Sequence, residues 1–194
     1  MGLKEKIKYI SMKGRKMNKA LKEILFSEEE IRAKVKELGK EITNDYMDKD
    51  LYVVGILKGS FIFMADLVRE ISLPLLVDFM SVSSYGRNAK SNGEVKILKD
   101  LDFSVEGRDV LIVEDIIDSG FTLKYIEQMF KTRGANSVKF AAFLDKKESR
   151  KVEMEVHYKG YEVPNDFIVG YGLDYSEEYR NLPYIATLKE EVYK

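Results

Sequence analysis

The chain has 194 residues, 45% of them hydrophobic and 34% charged, which bounds it to about one globular domain with a substantial core. Its 32 basic and 33 acidic residues leave a net charge of −1, without the basic surplus of a dedicated nucleic-acid binder. The absence of cysteine and the single histidine, His157, exclude disulfides, thiolate or iron–sulfur sites, thiol catalysis and multi-histidine metal centres.

Residues 1–16 hold Lys4, Lys6, Lys8, Lys13, Arg15 and Lys16 against Glu5 alone, and Lys19 and Lys22 continue the run. This stretch reads as a basic, mobile leader on a domain spanning 17–194, rather than as a contact for an anionic surface. It lacks the apolar region of a signal peptide, and no apolar run approaches the roughly 18 residues that span a bilayer. Together with the missing cysteines, that gives a cytoplasmic expectation without a membrane partner.

Ser27 and Glu30 have capping-box spacing, and Ile31, Val35, Leu38, Ile42 and Tyr46 then recur at helical intervals. LYVVGIL at 51–57 is apolar throughout, as a strand buried on both faces requires. A helix is expected over 60–71 and a strand over 75–83. Residues 83–93 hold the glycine, asparagine and serine of a mobile loop. Strands are expected at 95–99 and at 109–113 (DVLIV), and a helix over 120–133 with Leu123, Ile126 and Phe130 inward. Strands at 137–144, 166–171 and 183–188 complete the series. Alternating strands and helices of this kind predict an α/β fold, with a mostly parallel central sheet flanked by helices.

The segment Val113-Glu114-Asp115-Ile116-Ile117-Asp118-Ser119-Gly120-Phe121-Thr122 joins a buried strand to a helix. In open α/β sheets ligands bind beyond the carboxyl ends of the strands, and a helix opening there offers free amides and a positive dipole end. Ser119, Gly120 and Thr122 suit a phosphate cradle. A Walker loop would carry lysine where Phe121 stands, so this is not a nucleoside-triphosphatase loop. Adjacent carboxylates Glu114 and Asp115 can accept from a pair of vicinal hydroxyls and stabilise positive charge nearby. A phosphate at one end and a diol beside an electron-poor carbon describe a ribose 5-phosphate. A helix cap alone accounts for a lone Asp118 but poorly for the whole cluster. Leu57-Lys58-Gly59-Ser60, at the end of another buried strand, is by chemistry a second anion-binding turn.

The wording VLIVEDIIDSGFTL resembles the phosphoribosyl-diphosphate motif of the type I phosphoribosyltransferases, and is similar in particular to their hypoxanthine-guanine branch. The resemblance runs from about Met17 to the end, leaving residues 1–16 outside the family pattern. It implies the type I fold, with a small hood built from N- and C-terminal segments over the base site. It implies that Ile117, Ser119, Gly120, Phe121 and Thr122 hold the 5′-phosphate region, with Glu114 and Asp115 on the ribose hydroxyls. Leu57, Lys58 and Gly59 become the diphosphate loop, with a cis Leu57–Lys58 peptide. Ser84 and Tyr85 open a lid. Lys146 donates to the 6-oxo group of a purine, Phe167 stacks on the base, and the Ile168 backbone meets its edge. Asp174, with Glu114 and Asp115, is implied as the ligand set for Mg²⁺, and Arg180 pairs with the diphosphate. Asp118 is the implied acid/base at purine N7. The implied partners are phosphoribosyl diphosphate and 6-oxopurine bases, with the chain as a homodimer or homotetramer.

Three rivals carry less. VLIVED echoes the strand of a phospho-accepting receiver, but 109 residues precede Val110 where a receiver places that strand near its start. A non-catalytic phosphoribosyl-diphosphate sensor need not keep Asp118, Lys146 and Phe167 together. For a sibling enzyme using xanthine or a pyrimidine, Phe167 and Lys146 favour 6-oxopurines, while hypoxanthine, guanine and xanthine are not ranked by these residues. His157 reads as surface or packing, and Val169 and Tyr171 as core.

Overall fold

The structure, a computed structural model, describes residues 19–84 and 95–194. Strand β1 (Leu21–Phe26) leads into helix α1 (Glu28–Asp45), strand β2 (Leu51–Leu57) and helix α2 (Phe61–Glu70). Strands β3 (Leu75–Ser84), β4 (Val95–Lys99) and β5 (Asp109–Ile117) follow, then helix α3 (Phe121–Thr132) and strand β6 (Ser137–Asp145). Strands β7 (Tyr158–Glu162), β8 (Ile168–Val169) and β9 (Ile185–Leu188) and a short helix α4 (Glu190–Tyr193) complete the chain. The capping box forms: Ser27 Oγ accepts from the Glu30 amide at 3.3 Å, and the Ser27 amide donates to the Glu30 carboxylate at 2.8 Å.

Six strands make the main sheet in the order β4-β3-β2-β5-β6-β7, parallel except for the antiparallel edge pair β3/β4. The continuous apolar runs are explained by helices on both faces. Leu51 and Val53 of β2, with Leu111 and Val113 of β5, pack under α1 and α2. Tyr52, Val54, Val110 and Ile112 point the other way, towards Ile126 and Phe130 of α3. The chain passes from β2 outward to β3, then returns to the far side of β2 as β5. The sheet therefore reverses direction between β2 and β5, where a crevice opens beyond their carboxyl ends.

A separate antiparallel sheet, β1-β9-β8, is built from the two ends of the described chain. Leu21, Val169, Ala186 and Leu188 form its own small core, with Phe167, Tyr175 and Tyr193 against it.

Four expectations need correction. The strand expected at 166–171 is only Ile168–Val169, because the backbone turns left-handed at Gly170 (φ +97°) and Tyr171 (φ +53°). The strand expected at 183–188 begins at Ile185. Strand β5 runs on to Ile117, so Glu114 and Asp115 are strand residues and only Asp118–Gly120 form the turn. Strands β1 and β7 were not anticipated: β1 finds its partner over 150 residues away in β9, and β7 (YKGYE) is a polar edge strand with only Tyr158 buried. Residues 1–16, Tyr85 and most of the expected lid loop lie outside the described residues; the Ser84 backbone ends β3, paired with Val95.

Candidate active site

The ends of β2, β5 and β6 converge on the crevice. After β2, the Leu57–Lys58 peptide is cis and Lys58 is exposed. Ser60 turns its hydroxyl back to the Ile56 carbonyl at 2.7 Å, which closes the loop before α2 begins. Gly59 meets Asp115 so closely that a Cβ on it would overlap the Asp115 carboxyl group. Gly172 in turn lies against the Gly59 carbonyl. Three segments distant in sequence (57–60, 114–115 and 170–174) thus touch at one point.

The 170–182 segment is held on both sides. The Tyr171 amide donates to the Leu182 carbonyl at 2.9 Å and the Gly172 amide to the Arg180 carbonyl at 3.0 Å. The Tyr171 hydroxyl donates to Asp66 of α2 at 2.8 Å, and the residue is buried, as the core reading of it requires. Arg180 donates to the Gly172 carbonyl at 2.7 Å and pairs with Asp174 at 2.8 Å. Between them Tyr175–Glu178 forms a tight turn, its two end residues bonded in both directions at 3.0 and 3.2 Å. Its central residues, Ser176 and Glu177, both have positive φ, +52° and +67°. That conformation carries the Glu177 carboxylate to Lys58 Nζ, with both oxygens at 3.0 Å, and to Arg180 at 3.4 Å. The Lys58 hydrogen bond holds the Glu177 carboxyl below its ordinary pKa.

At the end of β5, the Glu114 and Asp115 carboxyls have few compensating partners. Asp115 accepts from the Ile116 amide at 2.8 Å. Burial pushes Asp115 up to about 6, with the nearby Arg180 charge pulling against it and Asp174 reinforcing it. Burial and the neighbouring Asp115 charge push Glu114 well above the carboxylate range. In the folded chain both groups bind protons more tightly than in the unfolded chain. Their stabilising effect is complete below about pH 4 and is lost as pH rises through the folded values. Asp115→Asn should therefore stabilise the free protein by about 1–3 kcal/mol at pH 8 and by nearly nothing near pH 4, and Glu114→Gln should act in the same direction. Denaturant unfolding at the two pH values checks this; equal effects at both would remove burial of charge as the cause.

Asp118 is exposed beyond the strand end, next to Ser119, and both line a cavity of about 410 Å³ shared with Glu148, Ser149, Lys151 and Asn165. Gly120 takes a left-handed conformation (φ +84°) as the cap of α3, where only glycine adopts it without cost, and Phe121 and Thr122 are the first helical residues. The segment after β6 is laid along this loop: Lys146 N donates to the Ile117 carbonyl and Lys151 N to the Ser119 carbonyl, each at 2.9 Å. Arg150 pairs with the buried Asp145, anchoring that segment to the sheet. Lys146 is half-buried at its start.

Phe167 stands in the hood, with Tyr175 against it edge-on at 5.2 Å and Tyr193 tilted at 5.1 Å. Ile168 is buried in β8, and its side chain belongs to the main core. Two expectations shift. The Ile117 side chain is 1% exposed and faces the α3 core, while Ile116, pointing the other way along the strand, is the partly exposed one. Alternation along β5 would have separated the two had the strand been carried past 113. Glu114, Asp115 and Asp174 do not close into a metal cage: among the described residues no three His, Cys, Asp or Glu groups are so placed. The hard oxygen donors of Glu114, Asp115 and Asp174, the first two raised above their ordinary range by burial, still fit Mg²⁺, which commonly takes one or two carboxylates and completes its shell with phosphate oxygens and water. Sequence reasoning missed Glu177, whose run SEEY looks like any solvated turn. His157 accepts from the Phe140 amide at 3.3 Å and is half-buried, a packing role as expected.

A profile of the family described as phosphoribosyl transferase domain matches residues 22–176. The chain is 55% identical over 178 residues to the hypoxanthine-guanine phosphoribosyltransferase of Bacillus subtilis (strain 168), covering 92% of this chain and 99% of that protein. It is 56% identical over 173 residues to the hypoxanthine-guanine phosphoribosyltransferase of Streptococcus agalactiae (serotype V), covering 89% and 96%. Among solved structures, a hypoxanthine phosphoribosyltransferase from Staphylococcus aureus superposes with a TM-score of 0.88 at 51% identity, covering 92% of this chain and all of that one.

Proposed function

The chain belongs to the phosphoribosyltransferase family, and we infer that it is a purine-salvage enzyme: it transfers the 5-phosphoribosyl group from phosphoribosyl diphosphate to N9 of hypoxanthine or guanine, giving IMP or GMP and diphosphate. One observation carries the assignment of the site. The acidic end of β5, the amide-rich start of α3 and the cationic pair Lys58/Arg180 open onto a single crevice at the reversal of the sheet.

The residues divide the work by chemistry. The amides of Ser119–Thr122 and the dipole of α3 hold the 5′-phosphate. Glu114 and Asp115 accept from the ribose 2′- and 3′-hydroxyls and stabilise positive charge as it develops on the sugar. Lys58 and Arg180 neutralise the leaving diphosphate. Asp174 and the acidic pair would hold Mg²⁺, which when bound would supply further charge neutralisation on the diphosphate. The C1′–oxygen bond breaks ahead of C1′–N9 bond formation. Asp118 exchanges a proton with purine N7, a role worth about 10²–10⁴-fold. Phe167 stacks on the base and the Ile168 backbone meets its edge. With no covalent nucleophile in place, positioning and preorganised charge provide most of the acceleration.

Lys146 sets the base preference, since an ammonium donates to a 6-oxo group but mismatches a 6-amino group. Lys146→Ala should lower kcat/KM for hypoxanthine and guanine by about 10- to 100-fold, and turnover of adenine, if any, should not fall with it. Unchanged guanine and hypoxanthine kinetics would reject the assignment. A spectrophotometric assay of hypoxanthine, guanine, xanthine and adenine with phosphoribosyl diphosphate and Mg²⁺ tests the whole reading; no turnover of any of them would leave the sensor as the better account.

We also infer a domain over 17–194 with residues 1–16 as an appendage, a lid beginning at Ser84 and Tyr85, a homodimer or homotetramer, and a cytoplasmic location. Exposed Val77, Leu98 and Phe103 supply apolar surface for assembly, which sedimentation tests. Among the described residues no helix is long and apolar enough to cross a membrane.

A further inference from the structure

We propose that Glu177 is an internal competitor for the diphosphate, its carboxylate engaging the same two cations, Lys58 and Arg180, that the leaving group needs. The inference rests on the reading of those cations given above, and deepens it by adding a residue that works against product retention.

Three observations carry it. The Glu177 carboxylate makes two contacts of 3.0 Å with Lys58 Nζ and a third of 3.4 Å with Arg180, so a single anion bridges both groups. A diphosphate oxygen is an anion of the same kind, and the two cannot both saturate these donors. Second, the geometry is built at some cost. The turn Tyr175–Glu178 has the signs of a type I′ turn, which favours asparagine and glycine at its centre, yet Ser176 and Glu177 occupy it at φ +52° and +67°. A non-glycine residue held there calls for an explanation, and the ion pair across 119 residues of chain supplies one. Third, the turn is anchored beside the site. The Glu177 amide donates to Asp174 at 2.9 Å, and Asp174 pairs with Arg180 at 2.8 Å. The carboxylate is two-thirds exposed and can swing away when a stronger anion arrives.

The consequence is an exchange. Phosphoribosyl diphosphate displaces Glu177 on binding; after transfer, Glu177 recaptures Lys58 and Arg180 and assists departure of the diphosphate. An exposed pair of this kind is modest in strength, which suits a reversible exchange rather than a lock.

The test is isothermal titration of inorganic diphosphate with Mg²⁺ into the full chain and its variants at low salt. Glu177→Gln should bind diphosphate about three- to ten-fold tighter, and product inhibition by diphosphate should strengthen by the same factor. Glu177→Asn, better suited to the left-handed turn, should behave alike and guards against a folding defect in the first variant. The discriminating measurement is the same substitution in a Lys58→Ala background. Competition through Lys58 predicts that most of the gain disappears there. An equal gain in both backgrounds would mean simple charge repulsion and overturn the proposal, as would unchanged or weaker binding by both Glu177 variants. If Lys58→Ala alone leaves diphosphate binding unaltered, the reading of the diphosphate loop itself fails, whatever Glu177 does.

Discussion

Asp118→Asn should lower kcat by about 10²–10⁴-fold while phosphoribosyl diphosphate binds within about two-fold of its wild-type affinity. The split follows from where Asp118 stands. It is the first residue beyond β5, exposed in the crevice, and its side chain makes no hydrogen bond to the loop that follows among the described residues. On the proposed reading the cradle for the 5′-phosphate is backbone: the Ser119–Thr122 amides, set by the left-handed Gly120 and fastened by the Lys151–Ser119 bond at 2.9 Å. An isosteric amide leaves that frame intact. On the same reading, what it removes is the group proposed to exchange a proton with the base, because an amide neither accepts nor releases one at neutral pH. Binding by titration calorimetry and single-turnover rates with guanine check the two halves separately. Turnover near wild type would take Asp118 out of the chemistry; weakened substrate binding of the same size as the rate loss would make it a ligand-holding residue instead.

The course of that segment from buried strand to helix was legible from the chain alone, and the reason is physical. A short, strictly apolar run followed by acids, a serine and a glycine suits a buried strand opening onto a helix. The carboxyl-end crevice then follows from the α/β pattern. The same holds for β2 and Lys58, and for α1, whose capping box and stripe appear as expected. What was not legible depends on distance. Strand β1 is short and mixed in character, and becomes a strand only because β9 from the far end of the chain pairs with it. The turn carrying Glu177 has the composition of a surface loop, and its role depends on Lys58, 119 residues earlier. The strand length of β5 mattered too: stopping it at Val113 left Ile116 and Ile117 undivided, although they face opposite sides of the sheet.

Gly59→Ala should damage stability and activity together, because it strikes the point where three segments meet. The methyl group would fall within the Asp115 carboxyl group, which is fixed on β5 and bonded to the Ile116 amide at 2.8 Å. Retreat of the loop in the other direction is blocked, since Gly172 already lies against the Gly59 carbonyl. One side must move: either Asp115 leaves its place at the end of β5, or the 58–60 turn lifts and carries Lys58 away from Glu177 and Arg180. Overpacking of this kind costs about 1–3 kcal/mol of stability. The functional cost is larger, since a displacement near 1 Å in a positioned site lowers rates by about 10²-fold, and here both Asp115 and Lys58, proposed to hold the ribose and the diphosphate, are in play. We therefore expect kcat/KM for phosphoribosyl diphosphate to fall by about 10³-fold in a protein that still unfolds cooperatively. The second change Asp115→Gly separates the two effects. It removes the clash, so most of the stability should return, but it also removes the acid proposed to bind the ribose, so activity should not. If the double variant recovers activity, Asp115 holds no part of the substrate; if Gly59→Ala alone is as active as wild type, the close approach of the two loops has no bearing on the reaction.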